Sequence, residues 1–127
     1  MWPFCAVFQG DTMERRERIR KSSHFRFVYN HGKSLVDENV VIYITKNGKT
    51  FNRIGISVSK KVGKSVVRNR VRRVIRESYR VNKNMFKRGY DIVIVARVRA
   101  AKANYKEISS SIIKLLGKGG LVVQEGE

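Results

Sequence analysis

One tripeptide in the middle of this chain could take part in nucleotide chemistry. Gly63-Lys64-Ser65 matches the end of a phosphate-binding loop, in which backbone N–H groups and the lysine hold the phosphates of a nucleotide. That loop requires another glycine five residues before Gly63, where this chain has Val58 within a β-branched segment. We therefore interpret the tripeptide as a turn between a strand and a helix, with Ser65 as the helix cap, and we assign no ATPase activity.

The residues around this turn could instead bind a polyanion. Six arginines lie between Arg68 and Arg80, and guanidinium groups bind phosphate oxygens in pairs while staying charged at cellular pH. The positive charges of the lysines before the helix are unfavourable at the positive end of the helix dipole. A phosphate bound at that end would make them favourable. The candidate RNA-binding residues are Arg68, Asn69, Arg70, Arg72, Arg73, Arg76, Lys60, Lys61 and Lys64.

No arrangement of side chains in the sequence is typical of catalysis. His24 and His31 are seven residues apart, which is not a metal-ligand spacing. Glu77, among the arginines, is expected to form an ion pair within its helix. Cys5 is the single cysteine and can neither form an internal disulfide nor anchor a zinc site. We expect no catalytic residue and no metal site in the protein.

The overall charge indicates a polyanionic partner. The 127 residues fit one domain and include 28 Lys and Arg against 10 Asp and Glu, a net charge of +18. Such an excess opposes compaction and is typical of proteins that bind nucleic acid. No apolar run approaches the roughly 20 residues of a membrane span. We expect a soluble, cytoplasmic protein without a membrane partner.

The two ends of the chain differ from its middle. The opening MWPFCAVFQG is apolar, but it is short and lacks the basic residues that begin a signal peptide. Met13 is a plausible true start. We expect an extension at 1–12 that is disordered or not native, a single domain at 13–117, and a flexible tail at 118–127.

The first half of the domain is predicted to contain a helix and two strands. The helix ends at His31-Gly32, and the segment Asn39–Lys46 is β-branched and aromatic, as in a strand. Asn47-Gly48 has the residues of a hairpin turn leading into a second strand, Phe51–Lys61. One face of this second strand is apolar. The other carries only Gly and Ser, which leaves room for a close neighbour.

The second half is predicted to contain two helices and a buried strand. An apolar stripe at helical spacing runs from Ser65 to about Asn82, opposite the arginines. Tyr90–Arg97 is apolar on both faces, and an amphipathic helix ending at Gly117 follows it. The predicted fold class is α+β, a single domain with its elements in the order α-β-β-β-α-β-α. Helices covering one face of a small mixed sheet is the simplest packing.

A group of aromatic residues could add a second binding surface. Phe25, Phe27, Tyr29 and Tyr43 alternate with basic residues on the first helix and first strand. Phe25 and Tyr29 are four residues apart and share a helix face. A face of this kind beside a groove could stack unpaired bases, although packing into the core is an alternative for each ring.

These segments resemble the bacterial ribonuclease P protein component. The resemblance rests on GISVSKKVGKSVVRN, RNRVRR and VIRESYR, with HFRFVYNHGKS before them and YDIVIVAR after them, and it spans about 13–116. It implies a single α/β sandwich with an uncommon left-handed βαβ crossover. That crossover would join the strand at 54–59 to the strand at 90–96 through the arginine-rich helix.

The resemblance also implies a function. Proteins of this family bind a large catalytic RNA, and that RNA cleaves precursor tRNA with Mg²⁺ to free the mature 5′ end. The holoenzyme is an endoribonuclease whose catalysis and Mg²⁺ reside mainly in the RNA; the protein alone is inactive and has no small-molecule cofactor. By position, the arginine motif would meet the catalytic RNA. Phe25, Tyr29 and Tyr43 would line a cleft for the 5′ leader of the precursor.

Three other classes of function remain as alternatives. A structural RNA-binding protein of the ribosomal type would have a similar charge and fold, but would not need aromatic residues in a cleft. A protein-only nuclease should show clustered carboxylates, and a membrane-surface binder should show exposed bulky apolar residues beside its basic face. The sequence favours the ribonuclease P subunit over these.

Overall fold

The computed structural model describes residues 15–123, so the predicted extension at 1–12 lies outside the described residues. Three helices and four strands follow one another in the predicted order α-β-β-β-α-β-α. They are α1 (Ser22–His31), β1 (Lys33–Val36), β2 (Val40–Lys46), β3 (Arg53–Ser57), α2 (Ser65–Asn82), β4 (Tyr90–Ala96) and α3 (Tyr105–Lys118). Short 3-10 turns lie at Arg15–Glu17, Lys60–Val62, Lys83–Met85 and Val98–Ala101.

The four strands form one mixed sheet in the order β1-β2-β4-β3. β4 is central, which agrees with its prediction as a strand buried on both faces, and Ile92, Val93 and Ile94 are fully buried. β3 runs parallel to β4, whereas β1–β2 and β2–β4 are antiparallel pairs. The β3–α2–β4 segment is therefore the βαβ unit that the resemblance predicts.

The predicted hairpin between β2 and β3 is wrong, because β4 lies between these two strands. Gly48 does adopt a left-handed turn, with φ of 72°. The Asn47 side chain, however, donates to the Asp91 carboxylate at 2.9 Å and ties the turn to β4. A strand that is apolar on both faces is most stable in the centre of a sheet. β4 therefore lies between β2 and β3, and these two strands do not pair with each other.

The hairpin of this sheet joins β1 to β2 instead. β1 has no residues assigned in the sequence prediction because Lys33–Val36 is short and half polar. Its turn is closed by Asp37, whose backbone N–H donates to the Val40 carbonyl at 3.0 Å. The Asp37 carboxylate accepts a hydrogen bond from the Asn39 N–H at 2.6 Å and pairs with Lys114 of α3.

Helices cover both faces of the sheet, so the prediction that they cover one face is wrong. Ile75 of α2 and Ile112 of α3 belong to the larger core on one face. On the other face, Val28 of α1 packs with Val93 and Ile19 in a second, smaller core. Both alternating sets of side chains on β4 are apolar, and burying the second set requires a helix on that face as well.

Two chain segments extend the domain beyond its helices and strands. Residues before α1 lie along the outer edge of β3, where Arg18 bridges Ile54 and the Ile19 N–H donates to the Ile54 carbonyl at 2.9 Å. After α3, Leu121 is 1% exposed and Val122 bridges Phe86. The domain therefore extends to residue 123, beyond the predicted boundary at 117.

A buried ion pair fixes β3 to β4. The Arg53 guanidinium donates two hydrogen bonds to the Asp91 carboxylate, at 2.8 and 2.6 Å. Burial alone would raise the pKa of Asp91, but the hydrogen bonds from Arg53 and Asn47 outweigh it and lower that pKa below its ordinary value of 3.8. The stability that this carboxylate contributes is therefore present above pH 3.8 and is lost as the pH falls further.

Asp91→Asn is expected to lower the free energy of unfolding at pH 7 by about 3 kcal/mol, because it leaves a half-buried guanidinium without its counter-charge. Urea denaturation at pH 7 and pH 3 measures this loss. The difference in free energy of unfolding between variant and wild type should be smaller at pH 3 than at pH 7. Glu77→Gln is a matched control in a more exposed pair, with an expected loss below about 0.5 kcal/mol. An equal difference in free energy of unfolding at both pH values would contradict a stabilising role for the Asp91 charge.

Candidate nucleic-acid interface

The nine predicted RNA-binding residues, here called the arginine ridge, lie on and before α2. The helix forms at this place because its apolar stripe is buried, with Val71 and Ile75 fully enclosed by the core. The opposite side must then face outward. Asn69, Arg70, Arg73 and Arg76 are exposed, Arg68 and Arg72 are half-buried, and Lys60, Lys61 and Lys64 are exposed before the first turn.

Arg68 holds the start of α2. Its Nε donates to the Gly63 carbonyl at 3.1 Å, and its guanidinium donates to the Ser65 hydroxyl at 3.2 Å. The prediction of Ser65 as helix cap is wrong, because Lys64 occupies the cap position without a side-chain cap bond and Ser65 is the first helical residue. Gly63 has φ of 159°, so the turn is extended and does not wrap around a phosphate.

Arg70 also has a structural contact within the protein. Its guanidinium donates to the carbonyls of Ala101 and Ala103, at 3.3 and 3.0 Å. These bonds attach α2 to the turn that follows β4. Arg70 is thus directed toward a different part of the surface from Arg72 and Arg76, which line a cavity on the side of β3.

Among the described residues, most of the remaining charge on α2 has no acidic partner. The expected ion pair of Glu77 is confirmed, and its partner is Arg80. Across residues 15–123, no carboxylate lies within ion-pair distance of Arg72, Arg73 or Arg76. Burial lowers the pKa of Arg76, and the positive charges of Arg18 and Arg72 lower it further. Clustered like charges destabilise the free protein, so an external anion would stabilise it.

The three predicted leader-binding rings come together on the other face of the sheet and form the aromatic cleft. Phe25 and Tyr29 of α1 have ring centroids 6.4 Å apart, and Tyr29 meets the edge of Tyr43 on β2 at 5.0 Å. Tyr29 is 38% exposed. Phe25 and Tyr29, together with Arg26, line an open cavity of about 360 Å³.

Gly55 of β3 sets the position of Phe25. A Cβ atom at residue 55 would lie 2.7 Å from two atoms of the Phe25 ring, closer than real side chains approach. The predicted small face of this strand therefore does leave room for a close neighbour. That neighbour is the Phe25 ring of the protein itself.

A second cavity connects the arginine ridge to the aromatic cleft. It has a volume of about 400 Å³, and its lining includes Phe25 of the aromatic cleft and Arg72 and Arg76 of the arginine ridge. Arg18 and Arg20 complete its wall and are missing from the sequence-based set of site residues. Their signal was the alternation of Arg18, Ile19 and Arg20, which is typical of an extended segment with one apolar face.

The two histidines have contacts within the protein. His31 stacks on Phe27 with centroids 4.2 Å apart, and His24 lies 3.5 Å from the Arg53 guanidinium. Within residues 15–123, no group of three or more His, Cys, Asp or Glu is placed to hold a metal ion. No helix in the same part of the chain is long and apolar enough to cross a membrane.

Comparisons with known proteins agree on one family. A family model described as Ribonuclease P matches residues 13–120. The ribonuclease P protein component of Alkaliphilus oremlandii is 51% identical over 110 residues, which cover 87% of this chain and 96% of that protein. The solved RNase P protein from Thermotoga maritima aligns with a TM-score of 0.75 and 34% identity, over 81% of this chain and 97% of that one.

A second solved structure is equally similar. It is a Staphylococcus aureus RNase P protein mutant with defective mRNA degradation activity, with a TM-score of 0.78 and 33% identity. The alignment covers 84% of this chain and 91% of that one.

Proposed function

Since the chain belongs to the ribonuclease P protein family, we propose that it binds the catalytic RNA of ribonuclease P through its arginine ridge and the 5′ leader of precursor tRNA in its aromatic cleft. The observation that carries this proposal is the cavity shared by the two surfaces, which is lined by Phe25 as well as by Arg72 and Arg76. One RNA strand could contact charged and aromatic side chains in succession along it.

The arginine ridge supports binding to the RNA backbone. Guanidinium groups without carboxylate partners attract phosphates and release the counterions condensed on RNA. Cations at the start of α2 are unfavourable for the helix by itself, since they oppose its dipole. A phosphate placed there would reverse that effect.

The aromatic cleft supports binding to a single strand. A ring face can stack on any unpaired base, and each stack is worth about 1–3 kcal/mol. In a duplex the bases are already stacked on one another and present only their edges in the grooves. The leader of a precursor tRNA is a single strand attached to a folded body, which fits a cleft of this kind beside a basic surface.

The chemistry of cleavage is assigned to the RNA partner. Metal-dependent phosphodiester hydrolysis needs oxygen ligands for Mg²⁺, and residues 15–123 bring together no cluster of carboxylates that could supply them. In this proposal the catalytic RNA holds the Mg²⁺ and cuts the precursor. The protein neutralises charge and positions the leader.

Two alternatives make different predictions. A structural RNA-binding protein would bind RNA through the ridge and would gain nothing from a leader. The mRNA degradation activity named for the Staphylococcus aureus protein raises a second alternative, in which this protein would degrade RNA without an RNA partner.

Reconstitution distinguishes these alternatives. The protein is mixed with the cognate catalytic RNA at low Mg²⁺, and release of the leader from a precursor tRNA is measured. We expect cleavage at the mature 5′ end only when protein and RNA are both present. Equal cleavage with the RNA alone would favour a purely structural role, and degradation by the protein alone would favour a protein nuclease.

A further inference from the structure

Arg18, which lines the second cavity, has a guanidinium nitrogen without an acceptor among residues 15–123. Arg18 Nε is buried, and no hydrogen-bond acceptor for it lies among the described residues. A buried donor without a partner costs about 1–3 kcal/mol. The arrangement is unfavourable in the free protein and would become favourable if the Arg18 side chain turned toward an acceptor bound in the cavity.

The charge around Arg18 specifies what kind of acceptor this would be. Arg18, Arg20, Arg72 and Arg76 all line the cavity, and no carboxylate is among its lining residues. Arg18 and Arg72 each act on Arg76 by like-charge repulsion. Four cations around one cavity without a counter-charge favour the binding of an anion. Arginine pairs best with the oxygens of a phosphate or carboxylate.

The remaining walls favour a phosphate that is part of a nucleotide chain over a free ion. Phe25, Ile54 and Ile56 provide apolar lining. Gly55, which has no Cβ atom, lets the Phe25 ring lie close to the β3 backbone. The volume of about 400 Å³ lies in the range of ligand pockets. A ribose or base could lie on the apolar side while its phosphate faces the arginines.

We propose that Arg18, Arg72 and Arg76 form a binding site for one backbone phosphodiester of the leader strand, next to the base that contacts Phe25. This inference rests on the proposed function and adds to it a phosphate site and the residue Arg18. It also assigns Arg72 and Arg76 to the leader strand and leaves the other residues of the arginine ridge to the catalytic RNA. Arg18 Nε would gain its missing acceptor when the side chain turns from its buried position toward the phosphate of the bound strand. The site would hold the strand at the point where it passes from the ridge into the cleft.

The test combines Arg18→Met with precursors that carry one neutral methylphosphonate linkage at successive leader positions. Arg18→Met keeps the aliphatic stem and removes the guanidinium. At one leader position, the neutral linkage should weaken binding to the wild-type holoenzyme about 10-fold and leave binding to the Arg18→Met holoenzyme unchanged. If every leader position gives the same loss in wild type and variant, the phosphate site is refuted.

Arg99→Met is the matched control, because it removes one exposed arginine from the turn after β4. It should leave leader binding at the wild-type level. Arg18→Met should also spare the binding of mature tRNA and the affinity of the protein for the catalytic RNA. Equal losses for mature tRNA, or weaker assembly with the catalytic RNA, would mean that Arg18 does not bind the leader and would overturn the inference.

The melting temperature of the free protein gives a second readout. Arg18→Met removes repulsion and a buried donor without an acceptor, so the melting temperature should stay the same or rise. A clear fall would show that Arg18 is a structural residue and would contradict the proposal. An inactive wild-type holoenzyme would instead refute the proposed function, so the two failures are distinguishable.

Discussion

Replacing Lys60, Lys61 and Lys64 together with glutamine is expected to weaken binding to the catalytic RNA about 100-fold at 0.15 M salt. Each phosphate contact that releases a counterion is worth about 1 kcal/mol at this salt concentration, and three contacts are lost. The three side chains are exposed at the start of α2. Because cations oppose the dipole at this end of a helix, the melting temperature of the free protein should rise slightly.

Binding isotherms over a range of salt concentrations, with thermal melts of the free protein, measure both effects. The slope of log affinity against log salt should become shallower by about 2 to 3. Lys118→Gln at the end of α3 provides a control for a general change of charge, and its slope should change by less than 1. A triple variant with wild-type affinity, or one that melts at a much lower temperature, would show that the lysines act within the protein.

Phe25→Leu is expected to weaken binding of leader-bearing precursors about 10-fold and to leave mature tRNA unaffected. Leucine fills the space over Gly55 and keeps most of the packing with Ile19 and Val28, so the loss of stability should remain below about 1.5 kcal/mol. It removes the ring face, and one lost stack on a base corresponds to a loss of this size. The KM for a leader-bearing precursor, together with the inhibition constant of mature tRNA, measures the difference.

Phe27→Leu is the matched control on the same helix. Phe27 is 51% exposed and stacks on His31, away from the aromatic cleft. This variant should bind both substrates as the wild type does. If Phe25→Leu and Phe27→Leu give the same result, or if Phe25→Leu weakens mature tRNA equally, the cleft does not recognise the leader.

The three helices and the longer strands could be predicted from local patterns, whereas the short strand β1 and the order of the strands could not. The stripe of α2 and the apolar run of β4 each determine the type of element without reference to the rest of the chain. The pairing of β3 depends on which strand lies in the centre of the sheet. Asn47-Gly48 has the residues of a hairpin turn, yet the Asn47 side chain binds Asp91 on β4.

The site could also be predicted only in part, because part of it depends on which segments lie side by side in the fold. Charge and aromatic character identify the ridge and the cleft from residue types alone, and the structure adds which members bind elsewhere in the protein, as Arg70 does. For Arg18 and Arg20, the alternation with Ile19 indicates an extended segment but not where in the fold that segment lies. They reach the cavity only because the residues before α1 lie along β3, a contact between segments more than thirty residues apart.

The bridge between Arg18 and Ile54 has a further consequence for self-association. β3 is the last strand of the sheet, and an open strand edge is a template on which a second copy of a protein can add its own strand. The backbone at Arg18 and Ile19 occupies part of that edge, and the two flanking guanidinium groups would repel an identical, highly positive molecule. The segment at Arg18 and Ile19, which lines a binding cavity, would thus also oppose aggregation of the RNA-free protein through the edge of β3.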